Sequence, residues 1–99
     1  MNKIKKTKQI NFQNYLTEQL KNPVIKKHYN EYGKQLEIAY RILQMRKQKG
    51  ISQSELAKKI GTNQSNIARM EAGEQNLTTS TLQKIAWAFN KDLKIDFVK

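Results

Sequence analysis

Two short segments, each opened by a helix-capping side chain and closed by a glycine, follow one another between Ser52 and Gly73. Ser52 and Glu55 form the pattern of a capping box, in which the serine side chain closes the first turn of a helix and the glutamate reaches back. The helix that it opens ends before Gly61, and a second helix, capped by Asn63, ends before Gly73. Two short helices with so brief a connection predict a helix-turn-helix.

The predicted pair has small and apolar side chains where its two helices would meet. Ala57 allows the second helix to cross closely, and Gly61 can adopt the positive φ of a tight turn. Ile60, Ile67 and Met70 lie where they can lock the two helices together. An ordinary helical hairpin would show the same spacing, so the spacing favours DNA binding without separating it from a purely structural pair.

The opposite face of the second predicted helix carries side chains that suit the major groove of DNA. Glutamine can bond adenine with two hydrogen bonds, arginine can do the same with guanine, and an alanine can touch a thymine methyl. The predicted base contacts are Gln64, Ser65, Ala68 and Arg69. Phosphates would lie against free N–H groups near the starts of the two helices. The predicted phosphate contacts there are Gln53, Asn63 and Asn66.

The charge of the chain also suits a polyanionic partner. Its 99 residues include 19 Lys or Arg and 8 Asp or Glu, a formal net charge of +11, and its isoelectric point is near 10.0. Residues 1–34 hold eight lysines against two glutamates, and residues 1–10 predict a basic, flexible tail. Nucleic acid is the first candidate partner, and an anionic membrane surface is the weaker one.

Several classes of protein are excluded or disfavoured by residue content. The chain has no cysteine and one histidine, His28, which excludes disulfides, thiol nucleophiles and Cys/His zinc sites. No nucleophile or carboxylate pair is placed to work with His28, so we expect neither an enzyme nor a cofactor. No apolar run approaches the length of a membrane span, and the basic start lacks the apolar stretch of a secretory signal. We therefore expect a cytoplasmic protein with no membrane partner.

Helical spacing of apolar residues extends to both sides of the central pair. Segments 11–21 and 23–32 predict two helices, with Asn22 as the cap and Pro23 at the first position of the second. Gly33 is predicted to end or weaken that helix, and a further helix is predicted over 34–49. After the pair, a last helix is predicted from Thr78 or Thr79 to about residue 89.

The end of the chain has a different pattern. Residues 93–97 alternate apolar and polar side chains with a period of two, which predicts a half-buried β-strand. A lone strand leaves its hydrogen bonds unmet, so we expect this one to pair with its two-fold mate or with another part of the chain. The predicted organisation is a basic tail (1–10), an amino-terminal helical extension (11–33), a helix-turn-helix DNA-binding domain (34–92) and a carboxy-terminal strand (93–99). The predicted dimer contacts are Trp87, Ile95 and Phe97.

The amino-terminal extension carries apolar side chains that a simple DNA-binding domain does not obviously need. In one interpretation they fold back onto the bundle and extend its core. In the other, part of the stripe is a docking surface, since exposed apolar stripes with tyrosine are typical interface anchors. Both interpretations can hold for different residues. The candidate docking residues are Phe12, Tyr15, Leu16, Leu20 and Tyr29.

The segments 51–57, 60–73 and 81–86 together resemble the Cro/repressor-type helix-turn-helix family, often called XRE. The resemblance covers about residues 36–90 and implies an all-α, Cro/lambda-repressor-like bundle of about five helices that binds operator DNA as a dimer. It matches Gln64, Ser65 and Arg69 to base-reading positions and Gln53 to a phosphate-contacting one. It also implies structural roles for Gly73 and for Glu71, the latter paired with a basic side chain such as Arg46. The chain departs from the family at Leu77, where many members have proline, and at Glu74, near a position that is often basic.

A narrower resemblance, to antitoxins of the HigA group, covers nearly the whole chain. It rests on Tyr15-Leu16, on Leu20 to Pro23, on Leu36 to Ala39 and on the ending from Leu93 to Phe97. It implies a type II antitoxin that neutralises a RelE/HigB-like mRNA-cleaving toxin, with the candidate docking residues as toxin contacts, and that represses its own operon as a homodimer on palindromic operator DNA. Two alternatives stay open. One is a free-standing XRE-family repressor, and the other is a basic interaction protein in which the helix-turn-helix is only a scaffold.

Overall fold

The computed structural model describes residues 11–99, which form six α-helices. In chain order they are α1 (Phe12–Gln19), α2 (Pro23–Lys27), α3 (Tyr29–Lys49), α4 (Gln53–Ile60), α5 (Gln64–Glu71) and α6 (Thr79–Ala88). The fold is all-helical, as expected. The predicted basic tail, residues 1–10, lies outside the described residues. None of the helices between residues 11 and 99 is long and apolar enough to cross a membrane.

The starts of α2, α4, α5 and α6 follow the caps that the sequence predicts. Asn22 accepts hydrogen bonds from the backbone at the start of α2, and Asn63 accepts one from Asn66 N–H at the start of α5. The capping box of α4 is complete: Ser52 N–H donates to Glu55 Oε1 at 2.7 Å, and Glu55 N–H donates to Ser52 Oγ at 3.0 Å. Hydrogen bonds from Ser52 hold the pKa of the Glu55 carboxyl below its ordinary value.

The long helix α3 corrects the prediction that Gly33 would end a helix. α3 passes through Gly33, and the chain breaks earlier, at His28, whose φ of −113° and ψ of 29° interrupt the helical path. The carbonyl of His28 then accepts from Glu31 N–H at 2.8 Å and from Tyr32 N–H at 3.0 Å, which starts α3. Burial of the α3 side chains that follow outweighs the helix penalty of about 1 kcal/mol for one glycine. The predicted domain boundary after residue 33 therefore falls inside α3.

The predicted carboxy-terminal strand over 93–99 is wrong for this chain: no strand occurs in residues 11–99. The side chains do alternate between apolar and polar. However, the N–H and C=O groups of a strand need a second strand as a partner, and residues 11–99 contain none. Leu93 at the start of this ending is half-buried, but Phe97 is 97% exposed and Val98 is 86% exposed, so the last residues do not pack against the bundle. The range 34–92 contains most of α3 with α4, α5 and α6, which makes four helices there rather than five.

The interior consists of two clusters joined along α3. The helix-turn-helix cluster lies beneath α4, α5 and α6. Its buried members are Ile42, Leu56, Ala57, Ile60, Ile67, Met70, Ile85, Ala88 and Phe89. The extension cluster lies between α1, α2 and the first part of α3, and its buried members are Tyr15, Ile25, Leu36 and Ala39. The helix α3 supplies side chains to both clusters, so the extension and the helix-turn-helix share one interior.

Candidate nucleic-acid interface

The helix-turn-helix consists of α4, a tight turn and α5. Gly61 ends α4 with a φ of +78°, in the left-handed region that favours glycine, and Thr62 N–H donates to Ala57 C=O at 2.9 Å. Ala57 is 2% exposed and Ile67 is fully buried, so the two helices pack closely where a small side chain was predicted. Because these packed residues fix one face of α5, they also fix which side chains point outward.

The outward face of α5 carries the predicted base contacts. Gln64, Ser65 and Arg69 are exposed, and Ala68 is half-buried beside them. Among the predicted phosphate contacts, Asn63 is exposed, while Gln53 and Asn66 are half-buried. The surface thus combines amide, hydroxyl and guanidinium groups along one short helix, with the donors and acceptors that base edges recognise.

A buried ion pair anchors the carboxyl end of α5. Arg46 on α3 and Glu71 on α5 are 7% and 5% exposed. Arg46 Nε donates to Glu71 Oε2 at 2.6 Å and Nη2 donates to Oε1 at 3.0 Å, a bidentate pair, while Nη1 donates to the carbonyl of Ile51 at 2.9 Å. The pairing implied by the family resemblance is therefore confirmed, and it fastens α5 to α3.

The same carboxylate leads by hydrogen bonds to the predicted base-reading glutamine. Gln53 Nε2 donates to Glu71 Oε1 at 3.0 Å, and Gln64 Nε2 donates to Gln53 Oε1 at 2.6 Å. These two bonds set the amide orientation of Gln64, which keeps its own oxygen and one N–H for a base edge. Gln53, predicted as a phosphate contact, thus has both of its amide atoms engaged within the protein.

A second group of polar side chains surrounds Asn66. Asn66 Nδ2 donates to Thr62 Oγ1 at 2.9 Å, and Asn66 Oδ1 accepts from Arg69 Nη2 at 3.0 Å and from Gln75 Nε2 at 2.6 Å. Gln75 is not among the predicted site residues, because nothing in the local sequence pattern shows where the loop after α5 returns. The hydrogen bonds of Asn66 therefore link the turn before α5, the outward face of α5 and the loop that follows it.

The amino-terminal extension and α3 both contact the carboxyl end of α5 and the residues that follow it. The Tyr15 hydroxyl donates to the backbone carbonyl of Glu71 at 2.8 Å, and Gln35 Nε2 donates to the carbonyl of Gly73 at 3.3 Å. Burial, with the Glu71 carboxylate as a smaller cause, raises the pKa of the Tyr15 hydroxyl, which therefore stays a protonated donor. Gly73 has a φ of +76°, and a Cβ there would lie 2.6 Å from Leu36 Cδ2. The end of α5 thus rests directly on α1 and α3.

The candidate docking residues of the extension are divided by this packing. Tyr15 is buried, and its neighbours Phe12, Leu16 and Leu20 are half-buried in the extension cluster, which fits the interpretation that they extend the core. Tyr29 is 38% exposed. The structure therefore leaves Tyr29 as the accessible member of this set.

The remaining predicted site residues lie at the other end of the chain. Trp87 on α6 is 69% exposed, and Ile95 and Phe97 in the carboxy-terminal segment are 60% and 97% exposed. His28 lies at the surface, with Nδ1 at 3.1 Å from Glu31 Oε1. No group of three or more potential metal-binding side chains occurs among residues 11–99.

Comparison with known proteins identifies the family. The family described as helix-turn-helix matches residues 42–95, more than half of the chain. The crystal structure of the restriction-modification controller protein C.AhdI from Aeromonas hydrophila is similar, with a TM-score of 0.59 and 28% identity over 62% of this chain and 88% of that chain. A structure described as MDT Protein has a TM-score of 0.56 and 34% identity over 66% of this chain and 92% of that chain. None of the curated protein sequences matches this chain. The chain therefore belongs to the XRE-type helix-turn-helix family of DNA-binding regulators.

Proposed function

We propose that this protein is a transcriptional repressor that binds its operator as a homodimer and inserts α5 into the major groove. The observation that carries the proposal is the exposed row of Gln64, Ser65 and Arg69 on a helix fixed by the buried Arg46–Glu71 pair. A rigidly held helix can present its base-reading groups without first having to order them. Two such helices related by a dimer axis would enter successive major grooves of a palindromic site.

The chemistry of each side chain on this surface suggests which part of the DNA it would contact. The Gln64 amide suits adenine, and the Arg69 guanidinium suits the O6 and N7 atoms of guanine. The net charge of +11 supplies attraction to phosphates that does not depend on sequence and that weakens as salt rises. Specificity should therefore reside in α5, whereas much of the affinity should come from lysines elsewhere.

The dimer in this proposal uses the exposed apolar end of the chain. Trp87, Ile95 and Phe97 are all more than half exposed in the single chain. A second copy that covered them would remove apolar surface from water. Sedimentation of the intact protein tests this, since Trp87→Ser should shift the population towards monomers.

The experiment that tests operator binding compares two variants on DNA from the protein's own promoter. Arg69→Ala should cost about 1–3 kcal/mol and relax the preference at one base pair, because one bidentate contact is lost. Lys5→Ala, the control, should weaken binding to all sequences alike and reduce the slope of affinity against salt concentration. Unchanged operator affinity and base preference for Arg69→Ala in a mobility-shift titration would show that the reading face is misplaced.

A second candidate role is that of an antitoxin, in which the same repressor also binds a RelE/HigB-like toxin. The supporting observation is that Val24 and Tyr29 stay 59% and 38% exposed on the extension, beside Lys26 and Lys27. Coexpression with a small protein encoded next to this one tests the role through growth rescue and copurification. Replacing Val24 and Tyr29 with serine should abolish both while leaving operator binding intact. Where no neighbouring protein copurifies or impairs growth, the chain acts as a free-standing repressor.

A further inference from the structure

Asn66, a half-buried side chain on α5, forms hydrogen bonds with three other side chains. Its Oδ1 accepts from Arg69 Nη2 at 3.0 Å and from Gln75 Nε2 at 2.6 Å, and its Nδ2 donates to Thr62 Oγ1 at 2.9 Å. A side-chain amide offers two acceptor lone pairs and two N–H donors. Three of these four positions are engaged within the protein, so the amide cannot rotate without losing hydrogen bonds.

We propose that Asn66 is a positioning residue, which holds the Arg69 guanidinium in one orientation and thereby sets the base preference of α5. This inference rests on the proposed operator binding through α5. It differs from the phosphate contact that the sequence predicts for Asn66, since a phosphate contact would hold DNA without sequence preference. The residue acts through Arg69 and does not itself touch a base.

The geometry leaves Arg69 able to read a base while it is held. A guanidinium has five N–H donors, and Asn66 takes one hydrogen of Nη2. The second hydrogen of Nη2 and those of Nη1 and Nε remain, which is enough for two parallel bonds to guanine O6 and N7. Because Arg69 is exposed and its side chain is flexible, an internal hydrogen bond reduces the rotamer freedom that base binding would otherwise remove.

The two other partners of Asn66 come from the segments that flank α5 in the chain. Thr62 belongs to the turn that precedes the helix, and Gln75 belongs to the loop that follows it. Both of these side chains are half-buried. The orientation of Arg69 is therefore tied to both ends of the recognition helix, and replacing Gln75 should weaken the same base preference to a smaller degree.

A double-mutant cycle on the intact protein tests this. Asn66→Ala, Arg69→Ala and the double variant are titrated by fluorescence anisotropy with the promoter duplex and with versions changed at the base pair where Arg69→Ala loses discrimination. We expect Asn66→Ala to lower the preference at that pair several-fold. In the Arg69→Ala background, the same change should have no further effect on preference, because the residue through which it acts is gone.

The conservative variant Asn66→Asp separates positioning from loss of contact. Its carboxylate can accept from the same two donors, so it should keep the base preference while its charge lowers affinity for every DNA sequence. Gln83→Ala, at an exposed position on α6, is the control for surface substitution and should change neither quantity. Circular dichroism checks that each variant keeps its helical content.

Two results would overturn the positioning role. One is a loss of affinity with Asn66→Ala that is equal for all duplexes and persists in the Arg69→Ala background, which identifies a phosphate contact. The other is a preference unchanged by Asn66→Ala while Arg69→Ala abolishes it, which leaves operator binding through α5 intact. Failure of the wild-type protein to bind its promoter, or an Arg69→Ala variant with full preference, would instead overturn the proposed function and this inference together.

Discussion

The phenolic hydroxyl of Tyr15 donates a 2.8 Å hydrogen bond to the backbone carbonyl of Glu71, the last residue of α5. The last carbonyls of a helix have no partner within the helix, and a buried one needs a donor from elsewhere. A side chain of the amino-terminal extension therefore completes the carboxyl end of the helix that carries the predicted base contacts. The same Glu71 holds Arg46 and Gln53 through its carboxylate.

Tyr15→Phe removes this donor and leaves the ring in place. The Glu71 carbonyl would then be buried without its partner, so we expect the free energy of unfolding to fall by about 1–3 kcal/mol. Urea denaturation measures the change. Tyr29→Phe is the matched control at an exposed position, and it should change stability by less than about 0.5 kcal/mol. Equal losses in the two variants would show that the hydrogen bond contributes nothing specific.

The glycines at 33 and 73 should respond in opposite directions to alanine. Gly73→Ala places a side chain at a φ of +76° and a Cβ 2.6 Å from Leu36 Cδ2, so we expect destabilisation of at least about 1–2 kcal/mol. Gly33→Ala adds a methyl group within α3 that would meet no atom within 4 Å apart from its chain neighbours and the nearby backbone of the helix, and it should stabilise the protein by about 1 kcal/mol. Thermal melts of both variants check the signs, and a stabilising Gly73→Ala would contradict the close approach of α5 to α3.

Removal of one partner of the buried Arg46–Glu71 pair should lower the free energy of unfolding far more than removal of one partner of an exposed ion pair. Arg46→Met leaves the Glu71 carboxylate buried without its cation, and we expect a loss of about 3–5 kcal/mol. Lys34→Met breaks the exposed Lys34–Glu37 pair, whose Nζ and Oε1 are 3.1 Å apart, and should cost less than about 1 kcal/mol. Chemical denaturation compares the two, and similar losses would argue that Glu71 reaches water in solution.

Glu55 should make stability depend on pH in the acid range. Its folded-state pKa lies below its ordinary value because of hydrogen bonds from Ser52. The carboxylate therefore contributes stability above the pKa of an unfolded glutamate, and this contribution disappears as the pH falls through the folded-state pKa. Glu55→Gln keeps an acceptor oxygen but cannot titrate. Its melting temperature should fall less on acidification than that of the wild type, and parallel profiles would contradict this assignment.

Local chemistry predicts the capped starts of α2, α4, α5 and α6, but not the start of α3, which has no side-chain cap. Asn22, Ser52, Asn63 and Thr78 are caps in the structure because each needs only a backbone N–H two or three residues away. Of the two outcomes predicted for Gly33, the end of a helix is wrong, because the stop signal of one glycine competes with burial, which the local sequence does not show. The prediction of a carboxy-terminal strand is wrong for a related reason. An alternating pattern shows which side chains a strand would bury, but it does not show whether a second strand is present to accept its backbone hydrogen bonds.

In the candidate site, too, the sequence predicts one part and not another. The outward positions of Gln64, Ser65 and Arg69 follow from helical periodicity once Ile67 is placed inside. The contacts that orient them join residues that are far apart in sequence. Gln53 and Glu71 are 18 positions apart, and Asn66 and Gln75 are 9 apart. Helical spacing within one segment cannot reveal such contacts, because they depend on how separate elements pack.

Because Tyr15 and Leu36 contact the carboxyl end of α5, this helix cannot be moved to another protein without losing part of its packing. The helix-turn-helix family match begins at residue 42, downstream of both supporting residues. A fragment cut at that point would expose the underside of α5 to water and remove the donor at its last carbonyl. Transplanting the α5 sequence into another member of the family would therefore transfer the predicted base contacts without the side chains that pack beneath them. We therefore expect the DNA specificity of this protein to depend on the chain from α1 onwards.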